Sequence, residues 1–188
     1  IKDRDTLDLI DRIIDSRETG LPIGNYTSQW FANFYLQNLD HYIKEELKVP
    51  YYLRYMDDMI LFHRNKKELR KIKEKIEEYL EKEKLNLKEN WQLFKVDSRP
   101  VDFIGYRFYR GYTTLRRGNF LRIKRRAKRI YKRKKVTLTD ASAMISYYGW
   151  LKHCNSYRFK QKYIKPYINI NELKGVVSYA NRKFKKAK

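Results

Sequence analysis

Two adjacent carboxylates, Asp57 and Asp58, interrupt the run Tyr51–His63, YYLRYMDDMILFH, which is otherwise largely aromatic and aliphatic. β-Branched and aromatic flanks favour strands. The simplest fold is therefore a hairpin, with strands Tyr51–Met56 and Met59–Phe62 joined by a tight turn at Asp57-Asp58. Neighbouring carboxylates between apolar strands repel one another and lose solvation. A divalent cation removes both costs. Mg²⁺ in phosphoryl-transfer sites is held by one or two carboxylates plus substrate phosphates. Asp is also a common turn residue, so a solvated hairpin tip is the plain alternative.

The charge of the chain is unevenly spread. Residues 119–188 hold 21 Lys/Arg and 2 Asp/Glu, a balance of +19 within a total of +22. Residues 1–118 are left with 23 basic and 20 acidic residues, only +3. A nearly neutral part followed by an intensely basic one predicts a polyanionic partner for the second. No apolar run is long enough to span a bilayer. The single cysteine, Cys154, excludes an intrachain disulfide framework. No membrane partner and a cytoplasmic location are the expectation. The three histidines lack zinc-ligand spacing, and no Walker-type loop or GxSxG is present.

Several elements are legible in order. Asp5 or Thr6 can cap a first helix in which Leu7, Ile10, Ile13 and Ile14 form a face. Pro22, Gly24 and Asn25 mark a turn, after which Thr27 or Ser28 opens a helix running to about Lys48. Its Trp30, Phe31, Phe34, Tyr35 and Leu39 predict burial on more than one side. Gly24 permits close approach of a backbone or ligand, and free N–H groups at the helix start suit phosphate. Asn65 caps a helix from Lys66 to about Lys84 with the stripe Leu69, Ile72, Ile76 and Leu80. Leu85-Asn86-Leu87 alternates like a short strand. Strands Val101–Tyr109 and Tyr112–Arg116, turning at Arg110-Gly111, make a second hairpin. Gly118 breaks the pattern and marks the expected domain boundary. Beyond it, Phe120 to about Lys135 sets a thin apolar seam among Arg122, Lys124, Arg125, Arg126, Arg129, Lys132 and Arg133, which can track a phosphate backbone. A capping box at Thr137–Asp140 starts the next helix, and a last one follows Asn169 or Asn171. Three helices sharing one seam predict a small bundle.

Tyr55-Met56-Asp57-Asp58 resembles the YxDD box of reverse transcriptases. The upstream stretch Leu21–Gln29, LPIGNYTSQ, is similar to that family's nucleotide-pocket segment. The frame matches at Gly24, Ser28 and Asn33, with Ile23 where the family has Gln and Gln29 where it has Pro. This form is most like the reverse transcriptases of diversity-generating retroelements; group II intron, retron and abortive-infection enzymes are the alternatives within the class. Phe103-Ile104-Gly105-Tyr106 resembles the primer grip, and Ser146–Tyr157 resembles a thumb segment.

The resemblance implies an α+β fold, with a partial palm over residues 1–118 and a basic helical thumb over 119–188. It implies RNA-directed DNA polymerisation with RNA template, DNA primer and dNTPs, two Mg²⁺ ions for which Mn²⁺ can substitute, and a small basic accessory protein. Asp57 and Asp58 become the catalytic and metal-binding pair. Ile23, Gly24, Ser28, Gln29, Asn33, Tyr55 and Met56 become the nucleotide and template pocket. Lys88 or Lys95 becomes a proton donor to the leaving group. The family's further catalytic Asp and its fingers are not found in the sequence, so the chain is expected to be an inactive fragment. A non-catalytic RNA-binding module with palm and thumb is the rival from another class.

Ile23 generates a prediction about fidelity. A side chain that can hydrogen-bond near the templating base discriminates strongly, whereas an apolar one contributes only about 1–3 kcal/mol. The family resemblance implies mispairing at template adenine. In the intact polymerase, errors should concentrate opposite adenine; losing one such contact costs roughly tenfold to a hundredfold in discrimination, and Ile23→Gln should partly restore fidelity. Sequencing cDNA copied from a defined RNA measures this; error spectra equal at all four bases would favour the group II or retron reading.

Overall fold

A computed structural model of the chain describes residues 2–18, 20–22 and 24–186. They divide into two compact units, Ile1–Leu93 and Phe94–Lys188, each with its own hydrophobic core. Helices with small antiparallel sheets make the fold α+β, as expected.

In the first unit, α1 spans Arg4–Ile14. Its cap is Asp3, which accepts a hydrogen bond from the Thr6 N–H at 2.9 Å, rather than Asp5 or Thr6. The helix buries no residue fully: Ile10 and Ile13 are half-buried, while Leu7, Leu9 and Ile14 are exposed. The long helix expected up to Lys48 is divided. Helix α2, Tyr26–Tyr35, gives way at Leu36 to α3, Gln37–His41, and a π-helical turn over Tyr42–Glu46. That turn closes with the Leu47 N–H on the Tyr42 carbonyl at 2.9 Å, and Lys44 donates to the Val49 and Pro50 carbonyls. The expected burial of the aromatic cluster is not found. Trp30 is 68% and Phe34 77% exposed, Tyr35 is exposed, Phe31 is half-buried and only Leu39 lies in the core. No described element covers that face of α2.

Strands β1, Tyr51–Tyr55, and β2, Asp58–Phe62, pair antiparallel with Tyr55 opposite Asp58. The turn is Met56-Asp57, one residue earlier than the sequence suggested, and Asp58 belongs to the strand. Side chains alternate across the hairpin. Tyr52 and Arg54 face inward with Met59 and Leu61, while Tyr51, Leu53 and Tyr55 face out. Helix α4, Lys66–Lys82, starts where expected, with the Asn65 side chain accepting from the Lys67 N–H at 2.9 Å. Its Ile72, Ile76 and Leu80 close the core over Leu39, Ile43 and Val49. Lys84 then adopts a left-handed φ of 57° and the Leu85 N–H bonds the Leu80 carbonyl at 2.8 Å. This six-to-one closure caps the helix. It also consumes the Leu85 donor, so the strand expected at residues 85–87 is a loop whose leucines pack onto the core.

In the second unit the expected two-stranded hairpin has three strands: β3 Val101–Phe103, β4 Tyr106–Phe108 and β5 Thr113–Leu115. Ile104 and Gly105 form the first turn, with φ of 48° and 81°. Two left-handed residues make the type I′ pattern that matches strand twist. Arg110-Gly111 lies in the second connection, where the Tyr109 N–H bonds the Tyr112 carbonyl and the two rings stack at 4.3 Å. Helix α5 runs Arg117–Arg133, so Gly118 lies in its first turn. Helix α6, Leu138–Trp150, is capped by Thr137, whose hydroxyl accepts from the Asp140 N–H at 3.1 Å as the capping-box pattern requires. After a short 3₁₀ turn, Leu151–His153, come α7, Tyr157–Tyr163, and α8, Ile170–Lys186. Among the described residues the bundle thus has four helices rather than three. Ile123, Ala127 and Ile130 of α5, Met144 of α6, Ile164 and Leu173 form its core together with Leu115 of the sheet.

Met144 is fully buried at the centre of that core. Met144→Ala should destabilise the second unit by about 2–5 kcal/mol through lost burial and an unfilled cavity. Hydrogen exchange across α5 and α6 reads the effect.

Candidate active site

The Met56-Asp57 turn projects the paired carboxylates from the end of the first hairpin. Met56 has φ of 56° and Asp57 does not, the pattern of a type II′ turn that favours glycine at its first central position. A non-glycine residue there costs on the order of 1–3 kcal/mol and persists only when its surroundings enforce it. Those surroundings are polar. Arg54, on the inward face of β1, donates from Nη1 to the Met56 carbonyl at 3.0 Å and to Asn33 Oδ1 on α2 at 2.9 Å. From Nε it donates to Asp40 Oδ1 at 2.8 Å, and Nη2 completes a fork on Oδ2. The Tyr52 hydroxyl donates to the same carboxylate at 2.8 Å. Asn33 Nδ2 meets the Met56 sulfur at 3.5 Å.

This network sets protonation. Burial alone would raise the Asp40 carboxyl, but hydrogen bonds from Arg54 and Tyr52 hold it below its usual range. Burial and the bond to Asp40 push the Tyr52 phenol well up. The Arg54 guanidinium is likewise held charged by Asp40. Sequence reading missed Arg54, Tyr52 and Asp40. The available signal was parity: alternation from Leu53 and Tyr55 turns Arg54 inward, and an inward cation needs an anion.

Asp57 and Asp58 are both exposed. The desolvation cost read from their apolar flanks is therefore not realised, because the turn lifts them into solvent. Lys88, from the loop after α4, donates from Nζ to Asp57 Oδ2 at 2.9 Å. Its hydrogen bond holds the Asp57 carboxyl below the ordinary range, and the Lys88 ammonium is raised in return. The tip thus attracts a cation. Two carboxylates suit a hard divalent ion that completes its shell with water and substrate phosphates. No cluster of three or more His, Cys, Asp or Glu gathers among the described residues.

The remaining candidates are distributed as follows. Tyr55 is exposed beside the tip, opposite Asp58. Gly24 has φ of 101°, a conformation that favours glycine. The Ser28 hydroxyl donates to the Pro22 carbonyl at 2.7 Å, and Gln29 is exposed. Ile23 lies outside the described residues. In the second unit, Phe103 and Tyr106 pair across the Ile104-Gly105 turn, and the Tyr106 hydroxyl donates to the Trp150 carbonyl. The Gly105 carbonyl accepts from the Arg116 N–H and from Asn119 Nδ2, so the start of α5 holds this turn. Lys95 lies in this unit and Lys88 in the first. Of the basic residues on α5, Arg117, Arg122, Arg125, Lys128, Arg129, Lys132 and Arg133 are exposed, while Lys124 and Arg126 are half-buried. Lys124 lies over the Tyr163 ring at 4.2 Å, and Arg133 donates to the buried Asp140 at 3.2 Å. No helix among the described residues is long and apolar enough to cross a membrane.

Comparison with known proteins agrees with the hairpin and its flanks. The family model described as reverse transcriptase (RNA-dependent DNA polymerase) matches residues 14–108, just over half of the chain. No curated protein matches it.

The Lys88–Asp57 contact has a measurable signature. A carboxyl whose folded pKa is depressed gains stabilisation above its unfolded pKa and loses it as pH falls through the folded value. Lys88→Ala should therefore raise the Asp57 pKa towards the ordinary 3.8 and weaken the tip only at pH above that range. A ¹³C carboxyl NMR titration of both forms checks this; coincident Asp57 curves would refute the contact.

Proposed function

The chain belongs to the reverse transcriptase (RNA-dependent DNA polymerase) family, and from that premise we propose that the Asp57-Asp58 tip serves template-directed DNA synthesis. The observation that carries this reading is two exposed carboxylates at the end of a hairpin whose turn Arg54 holds, with a lysine already in contact with one of them. The family uses divalent metal ions. In our reading Asp57 and Asp58 hold them, Asp57 as the more direct ligand. Such ions supply Lewis-acid stabilisation to the attacking and leaving oxygens of an in-line displacement.

The residues of the chain then divide the remaining work. The primer 3′-hydroxyl attacks the α-phosphate of a dNTP, forming the new phosphodiester and releasing pyrophosphate. Lys88, kept protonated beside Asp57, donates its proton to that leaving group. Tyr55 and Met56 shape the primer end; Gly24, Ser28, Gln29 and Asn33 line the nucleotide pocket. Phe103–Tyr106 grip the primer, and the exposed arginines of α5 follow phosphates. By role, residues 1–118 act as part of a palm and 119–188 as a thumb, with RNA template, DNA primer and a small basic accessory protein as partners. The motif LPIGNYTSQ supports a diversity-generating retroelement as the source. Because the described residues bring no third carboxylate to the tip, the 188-residue chain alone should not extend a primer.

In the intact polymerase, Asp57→Ala should abolish primer extension on an RNA template with Mg²⁺ while leaving RNA affinity within about twofold. That affinity should fall steeply with salt, log K dropping about 0.7–0.9 per phosphate contacted. Arg122, Arg125 and Arg129 replaced by Gln should flatten the slope. Retained extension by Asp57→Ala would overturn the assignment of Asp57, whereas RNA binding without any extension by the intact wild type would leave the RNA-binding module standing.

A further inference from the structure

Arg54 sits where the strained turn meets the helices. Its side chain is only 10% exposed, yet it makes four directed contacts. The Nε/Nη2 edge forks onto Asp40 of α3, which fixes the guanidinium plane. The remaining nitrogen, Nη1, is thereby aimed at two oxygens, Asn33 Oδ1 of α2 and the carbonyl of Met56. Met56 is thus held at its carbonyl by Arg54 and at its sulfur by Asn33. A purely structural ion pair would need the Asp40 fork alone. The contacts through Nη1 add nothing to that pair, and they converge on the residue whose φ places Asp57 at the tip.

We propose that Arg54 is a positioning residue for the carboxylate pair, transmitting the fixed orientation of Asp40 and Asn33 to the Met56 carbonyl and so holding the Met56-Asp57 turn in its left-handed form. The functional consequence rests on the polymerase reading; the conformational one does not. Lysine cannot substitute. Its ammonium can pair with Asp40, but it lacks the planar fork that directs a second nitrogen to the turn. Asn33 is correspondingly a member of this network, with both ends of its amide engaged by Arg54 and Met56.

The test compares the ¹⁵N-labelled 188-residue chain with Arg54→Lys and Arg54→Met, using amide hydrogen exchange and Mn²⁺ line broadening. In Arg54→Lys, exchange at Ile72, Ile76 and Leu80 of the core should stay within about threefold of wild type. Exchange at Tyr55 and Asp58, the last rung of the hairpin, should quicken at least about tenfold. Broadening of the Asp57 and Asp58 signals should require about tenfold more Mn²⁺. Arg54→Met should loosen the tip at least as much. The proposal is overturned if Arg54→Lys leaves the Tyr55–Asp58 rung unchanged. It is also overturned if core and tip quicken equally, which is the mark of a merely structural pair. Absence of tip broadening by Mn²⁺ in the wild type would instead count against the polymerase reading, while the exchange data still decide the positioning role.

Discussion

The fork between Arg54 and Asp40 is the constraint on which the first unit depends. Strand pairing alone would leave the hairpin free to slip, and a one-residue slip would turn every side chain to the opposite face. With Arg54 inward and Asp40 waiting on α3, slippage would strand a cation against solvent and an anion against the core. Partly buried charge pairs contribute little net stability, but losing one partner of a fully buried pair costs about 3–5 kcal/mol. The cost here is smaller because Asp40 remains a third exposed. The pair adds to the register that Tyr52, Met59 and Leu61 set by packing on the core. The same register sets Tyr55 opposite Asp58 and leaves Met56 and Asp57 as the turn.

The second unit uses buried charge for another end. Asp140, at the first turn of α6, is nearly buried and lies between Arg133 at 3.2 Å and Arg126 at 3.9 Å on α5. One carboxylate both accepts at the helix start, where negative charge is favoured, and ties two helices. This divides the basic residues of α5 into two populations. Arg126 is half-buried beside Asp140, Arg133 reaches the same carboxylate with half of its side chain in solvent, and Lys124 lies on an aromatic ring. Arg122, Arg125, Arg129 and Lys132 keep their charge in solvent. Outside its apolar seam the helix is basic, and its solvent-facing cations are the ones free to meet phosphate.

Much of the local chemistry was legible in the sequence where cause and effect lie within a few residues, although the cap of α1 is Asp3 and not Asp5 or Thr6. Asn65 and Thr137 cap the helices they were expected to cap, and Ile72, Ile76 and Leu80 bury the stripe they spell. What escaped at the candidate site depends on partners distant along the chain. Nothing near Arg54 announces Asp40, fourteen residues earlier. The turn moved to Met56-Asp57 because that support lets methionine occupy a position that composition would give to glycine. Ile104 misled for the same reason: a β-branched residue at φ of 48° defeats turn rules and divided one expected strand in two. The aromatics of α2 misled oppositely, since their density announces burial but not what would supply it.

That aromatic face has a colloidal consequence. Tyr26, Trp30 and Phe34 recur every fourth residue, so they stack into one stripe along α2, each more than two-thirds exposed. In a neutral protein such a stripe would drive self-association. Here a charge of +22 opposes it by mutual repulsion. The two forces differ in range and in response to ions: screening shortens the repulsion and leaves apolar attraction intact. Dilute salt and polyanions thus become solubility variables, and a stock that stays clear at low ionic strength will cloud as the repulsion is screened or neutralised.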